Sequence, residues 1–156
     1  MRHRLLASAV LSLALASSVC AQEHPAPIFV DQPHHFSVFL GSSDNDHGTA
    51  FTLGLDYEYR ATEFLGLGGI VEHAFEEIDA TTALLVADLH LTHQFIVQTG
   101  PGVEFLHEED EAEFVYRVGV LYEWEFGGTT VSPQLHYDWA EEEQTVLFGL
   151  AFGLCF

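Results

Sequence analysis

Residues 114–126 read Phe-Val-Tyr-Arg-Val-Gly-Val-Leu-Tyr-Glu-Trp-Glu-Phe. Phe114, Tyr116, Val118, Val120, Tyr122, Trp124 and Phe126 take every second position, and Val115, Arg117, Gly119, Leu121, Glu123 and Glu125 fill the gaps. Successive strand side chains point to opposite faces. A period of two that sorts large apolar residues from charged and small ones therefore predicts a long strand with one apolar face. A helix would need apolar residues at spacings of three and four.

The same period recurs in both directions. Phe51, Leu53, Leu55, Tyr57 and Tyr59 alternate with Thr52, Gly54, Asp56, Glu58 and Arg60. Val131, Pro133, Leu135, Tyr137 and Trp139 alternate with Ser132, Gln134, His136 and Asp138. Val146 to Phe156 repeats it to the end of the chain. Weaker versions run through Phe36-Val38-Leu40, Leu65-Leu67-Gly69-Val71, Leu85-Ala87-Leu89-Leu91 and Val97-Thr99-Val103-Phe105. The sum is eight strands of roughly 8–13 residues, enough to cross a bilayer when tilted. Arg60 to Glu63, Thr92-His93 and Gly127-Gly128 read as short turns. Ser42 to Gly48, Glu76 to Thr82, His107 to Glu113 and Ala140 to Glu143 read as longer polar loops. The two kinds alternate, so up-and-down strands should gather the short turns at one end and the long loops at the other. No internal repeat or linker interrupts the pattern.

Composition sets the class. The chain has 156 residues and 17.3 kDa, a single-domain length. A hydrophobic fraction of 48% argues against disorder. There are 24 acidic residues against 4 basic ones and no lysine, which excludes phosphate-driven nucleic-acid binding. Residues 1–21 read as a cleaved signal peptide: Arg2 and Arg4 precede the apolar run Leu5 to Leu15, and Val19-Cys20-Ala21 offers a cleavage site. Val19 argues against a lipoprotein signal at Cys20. Cleavage leaves Arg60 and Arg117 against 24 carboxylates, a net charge of −22 with neutral histidines. It also leaves Cys155 with no disulfide partner, so a bilayer is expected to supply the support that disulfides give many small exported domains. Residues 22–34, with His24, His34, the adjoining His35 at its edge, and Pro25, Pro27 and Pro33, read as an extended periplasmic lead-in, for which a metal-scavenging arm is the sharper alternative. Residues 35–156 carry the predicted strands and are expected to close into a single β-barrel.

Three features favour a membrane barrel over a soluble one. Aromatics such as Tyr57, Tyr59, Tyr122, Trp124, Tyr137 and Trp139 stand near strand ends, where interfacial girdles form. The opposite face carries carboxylates instead of an apolar core. The chain ends on a strand closing in Phe156. No mature stretch approaches the length of an apolar transmembrane helix.

That closing strand, residues 148–156, has Phe148, Leu150, Phe152, Leu154 and Phe156 at alternate positions. It resembles the final strand of Gram-negative outer-membrane barrels, and the chain as a whole resembles the small eight-stranded families such as those of OmpA and OmpX. The resemblance implies an all-β, antiparallel, up-and-down transmembrane barrel in the outer membrane, surrounded by lipid and lipopolysaccharide. It implies assembly by the barrel machinery reading that strand, and a monomer. It leaves function open among structural anchor or surface-interaction protein, porin-like transport of small solutes or cations, and lipid-modifying enzyme.

The residues propose two sites. Eight strands enclose an interior that side chains can fill. The inward set is expected to be a polar network of Asp56, Glu58, Arg60, Glu72, Asp88, His90, Glu104, Arg117, Glu123, Glu125, His136 and Asp138. Unpaired charges there are costly, so Arg117 should meet Glu104 or Glu72, and Arg60 should meet Glu123 or Glu125. The second site is an acidic external rim. Asp44, Asp46, Glu108, Glu109 and Asp110 offer hard oxygen ligands suited to Ca2+ or Mg2+, and His47, His107 and His73 offer nitrogen ligands that suit a softer metal such as Zn2+ or Cu2+. No EF-hand or HExxH spacing is present. For catalysis, Ser132, His136 and Asp138 share a face, but Ser132 and His136 stand about 13 Å apart along a strand, and no Gly-x-Ser-x-Gly elbow exists. No catalytic residue is assigned and the chain is read as a non-enzyme.

Overall fold

The computed structural model describes residues 32–46, 48–75, 78–106, 111–140 and 143–156. The segments read as signal peptide and, for nearly all of its length, as lead-in, together with His47 and residues 107–110, lie outside them. The strands are β1 (His34–Asn45), β2 (Gly48–Arg60), β3 (Leu65–Ala74), β4 (Ala80–His90), β5 (Phe95–Leu106), β6 (Glu111–Tyr122), β7 (Trp124–Phe126), β8 (Thr129–Trp139) and β9 (Gln144–Cys155).

Neighbouring strands pair antiparallel in chain order, and β1 pairs β9. The sheet closes on itself and has no free edge. β6 and β7 are one stave of the barrel, interrupted at Glu123, whose N–H turns to the Gln94 carbonyl at 2.7 Å. Both pair β8, so the barrel is eight-stranded. At the closure, His34 and Phe156 exchange backbone hydrogen bonds of 3.0 and 2.9 Å.

The turns follow local chemistry. Gly127 and Gly128 both have positive φ, 60° and 87°, the backbone that a two-residue hairpin between right-twisted strands needs. Thr62 and Thr92 use the same device at the other two turns of that end. Each hydroxyl accepts the backbone N–H two and three residues on, at 3.2 and 2.9 Å. The start of β1 and Phe156 share this end of the barrel, here the lower end.

The upper end differs from expectation. Ser42 to Gly48 is not a loop: β1 and β2 stay paired up to Asn45 and Gly48, around a tight turn in which Asn45 Oδ1 accepts the Gly48 N–H. The Glu111–Glu113 part of the third polar segment is likewise strand. The alternation of short and long connections is therefore weak. Polar residues here extend the ladder, because a strand whose backbone groups are all paired does not need apolar side chains once it leaves the apolar layer.

Pro101 sits inside β5, a position that costs a ladder hydrogen bond. Pairing of β4 with β5 lapses there, between Leu84↔Gly102 and Ala87↔Thr99, and resumes in register. Gly100 allows the Leu85–Val86 backbone to press close.

Burial alternates along every long strand, and the large apolar side chains are the exposed ones. Leu85, at the middle of β4, is 73% exposed. A belt of Phe, Leu, Val and Tyr around the whole circumference is a surface that water does not tolerate at this size. Ring contacts mark both rims: Tyr122 with Trp124 at the lower end, Tyr137 with Trp139 at the upper.

The inward face corrects a second expectation. It is not polar throughout. Ile70, Leu84, Val86 and Val115 share the parity of the carboxylates and form a buried apolar cluster. Phe39, Ile96, Leu121 and Leu147 are buried inside as well. Large inward side chains lie over inward glycines, Phe39 over Gly41 of its own strand and Gly149 of β9, and His136 of β8 over Gly119 of β6. Small opposite large is how a narrow barrel fills its own interior.

Candidate functional site

The lumen brings most of the sequence-predicted polar residues together, in three groups. The upper group centres on Arg117 of β6, which is 1% exposed. Its Nε donates to Asp138 Oδ1 at 2.7 Å and its Nη2 to Asp138 Oδ2 at 2.5 Å. Its Nη1 donates to Glu72 Oε2 at 3.0 Å, and Nη2 also reaches Glu72 Oε1. Asp138 comes from the adjacent β8, its partner in the ladder. Glu72 comes from β3, across the barrel. The planar guanidinium is the one side chain able to fork to two carboxylates at once. Above them Glu104 accepts from Thr82 Oγ1 at 2.8 Å. The void among Glu72, Thr82, Glu104 and Asp138 measures about 10 Å³, roughly what one water occupies.

The lower group centres on Glu58. It accepts from His90 Nε2 at 2.6 Å and from Arg60 Nε at 3.2 Å. Arg60 Nη2 donates to Glu123 Oε1 at 2.8 Å. His35 Nε2 and Thr130 Oγ1 share a 2.8 Å hydrogen bond, and His35 lies 3.8 Å from Glu58 and 3.7 Å from Glu123. His35 was assigned to the edge of the lead-in; its strand places it in the lumen. Its signal was its parity, since His35 alternates with Phe36 on the opposite face. Glu125 does not join: it has inward parity, but it stands one step from the Gly127-Gly128 turn and is exposed at the mouth. Cys155 is half-buried near the same mouth.

The middle group holds Asp56, Asp88 and Gln98. Gln98 Nε2 points to Asp56 Oδ2 at 3.4 Å, and Asp88 is the ladder partner of Gln98. Gln98, 1% exposed, was missed as a site residue because an uncharged side chain carries no sequence signal beyond parity. Nearby in the lumen, His136 Nε2 donates to Gln134 Oε1 at 2.9 Å. Asp138 is committed to Arg117, and the Ser132 hydroxyl is buried without a partner. Ser132, His136 and Asp138 thus form no hydrogen-bonded relay.

At the upper rim, Asp44 lies within β1 and accepts from Thr49 Oγ1 at 2.6 Å, while Asp46 is exposed in the turn. His73 contacts Thr81 at 3.0 Å and Asp79 at 3.7 Å. Among the described residues, no group of three or more His, Cys, Asp or Glu side chains is arranged to hold a metal. His47, His107, Glu108, Glu109 and Asp110 fall outside those residues. On the closing strand, Phe148, Leu150, Phe152, Leu154 and Phe156 all face outward and are exposed.

No protein-family model and no curated protein matches the chain. Solved structures do. The N-terminal β-barrel domain of Pseudomonas aeruginosa OprF superposes with a TM-score of 0.66 at 14% identity, over 80% of this chain and 98% of that one. Ail, the attachment invasion locus protein of Yersinia pestis, in complex with the heparin analogue sucrose octasulfate, gives 0.54 at 15% identity, over 79% and 97%. Neisserial surface protein A gives 0.53 at 9% identity, over 79% and 96%. At these identities the likeness is one of fold.

Proposed function

This chain has the fold of the small outer-membrane β-barrels, and we propose that it is an integral outer-membrane protein with a structural or surface-interaction role. The barrel anchors the chain in lipid, and the acidic upper end faces outward. The observation that carries this reading is the filled lumen. The Glu72–Arg117–Asp138 cluster and the apolar group of Ile70, Leu84, Val86 and Val115 occupy the cross-section. Eight strands leave no width to spare beyond such side chains. The lower end, with its short turns, the start of β1 and Phe156, would face the periplasm.

The acidic upper end repels polyanions, so a sulfated sugar of the kind bound to Ail is not the expected partner here. Divalent cations bridging the rim carboxylates to lipopolysaccharide phosphates suit its charge better. Recordings of the purified protein in planar bilayers test the main reading. A closed barrel adds no discrete conductance steps. Reproducible cation-selective steps would instead establish the transport alternative, which the excess of inward carboxylates favours over anion transport.

A further inference from the structure

The two lumen arginines account for four inward carboxylates. Arg60 serves Glu58 and Glu123; Arg117 serves Glu72 and Asp138. Among the described residues, Asp56 and Asp88 receive no hydrogen bond from either arginine or from a histidine. The two carboxylates repel each other, and the amide between them belongs to Gln98, an uncharged donor.

This group also contains unsatisfied oxygens. Asp56 Oδ1, Asp88 Oδ1 and Gln98 Oε1 are all buried without a hydrogen-bond partner. Asp88 is 4% exposed and Gln98 1%. A buried acceptor without a partner is strongly disfavoured, more so when charged. All three atoms are acceptors, so they cannot satisfy one another. A single proton could join two of them and would leave the third bare. One cation could accept electron density from all three, and two carboxylates match a divalent charge. Carboxylate and amide oxygens are the ligands that hard cations prefer, with water completing the shell.

We propose that Asp56, Gln98 and Asp88 form a cation site inside the barrel, suited to Ca2+ or Mg2+. The site does not depend on whether the barrel is an anchor or a pore.

The test uses the full chain folded in detergent micelles, stripped with EDTA, reloaded with Mg2+ or Ca2+, and freed of excess metal. Native mass spectrometry then counts ions per barrel. One ion should remain on the wild type and on the rim variant Asp44→Asn/Asp46→Asn. None should remain on Asp56→Asn/Asp88→Asn, whose melting should also become indifferent to EDTA. If that double variant does not fold, Gln98→Met, which keeps the shape and removes the oxygen, should weaken retention at least tenfold. A folded wild type that keeps no ion overturns the site. So does equal retention by the lumen variants. A melting point that moves with pH and not with metal also overturns it, making the group a proton-sharing acid pair.

Discussion

Arg117 and Glu72 stand on strands that are not neighbours and meet across the lumen, guanidinium to carboxylate, through both ends of the fork. Asp138 takes the remaining side of the same guanidinium. One cation thus ties β3, β6 and β8 together from within, and its removal leaves two carboxylates buried and uncompensated.

Arg117→Leu should therefore destabilise the barrel by about 3–5 kcal/mol, the range for breaking a buried ion pair from one side. Arg117→Lys should recover only part of this, because an ammonium cannot fork to two carboxylates. Urea titration of the protein in lipid vesicles, followed by tryptophan fluorescence, measures both. Equal stability of the Leu and wild-type chains would show that the cluster does not hold the barrel.

Gly119 faces the His136 ring so closely that a Cβ would enter the imidazole. His136 is itself confined, edge-on to Phe39 at 6.2 Å. Gly119→Ala should cost about 1–3 kcal/mol, as overpacking does, and Gly119→Val should impair folding. The fraction migrating as the compact, unheated form on electrophoresis reports it.

Leu85 tests the lipid-facing assignment. At mid-strand on the outward face, Leu85→Arg should cost about 2–4 kcal/mol in a bilayer, the depth-dependent penalty at the midplane. Glu125→Arg, at the exposed lower mouth, should be close to neutral. A soluble protein would show the reverse tolerance at position 85, since an exposed leucine in water can be charged freely.

Phe156 closes the ring through its backbone and stacks on His34 at 5.5 Å. Phe156→Ala keeps the backbone bonds and removes the stack, so it should lower stability by only about 1 kcal/mol, the scale of one aromatic pair. A much larger loss of surface-assembled protein in cells than of stability in vesicles would assign Phe156 to recognition during assembly.

The barrel itself was legible along the chain. The period of two in residues 114–126 and its repeats name the outward faces of the strands, because side-chain direction in a strand depends only on position. The upper end was less legible. Ser42 to Gly48 has the composition of a loop, and the backbone pairs almost to its tip. Backbone hydrogen bonds carry no side-chain signature, so a polar strand and a polar loop look alike.

The lumen divides in the same way. Parity alone assigned Arg117, Glu72, Asp138, Glu58 and Arg60 to the interior, and equally Ile70, Leu84 and Val86, whose apolar character hid them among the lipid-facing residues. Which of them touch was decided only by closure of the sheet. Glu72 and Arg117 are 45 residues apart in sequence, and their meeting depends on strand number, tilt and register acting together. Alternation is a local property that each strand carries in its own residues. Contact across a barrel belongs to the closed ring, where the distance between two side chains is set by every strand between them.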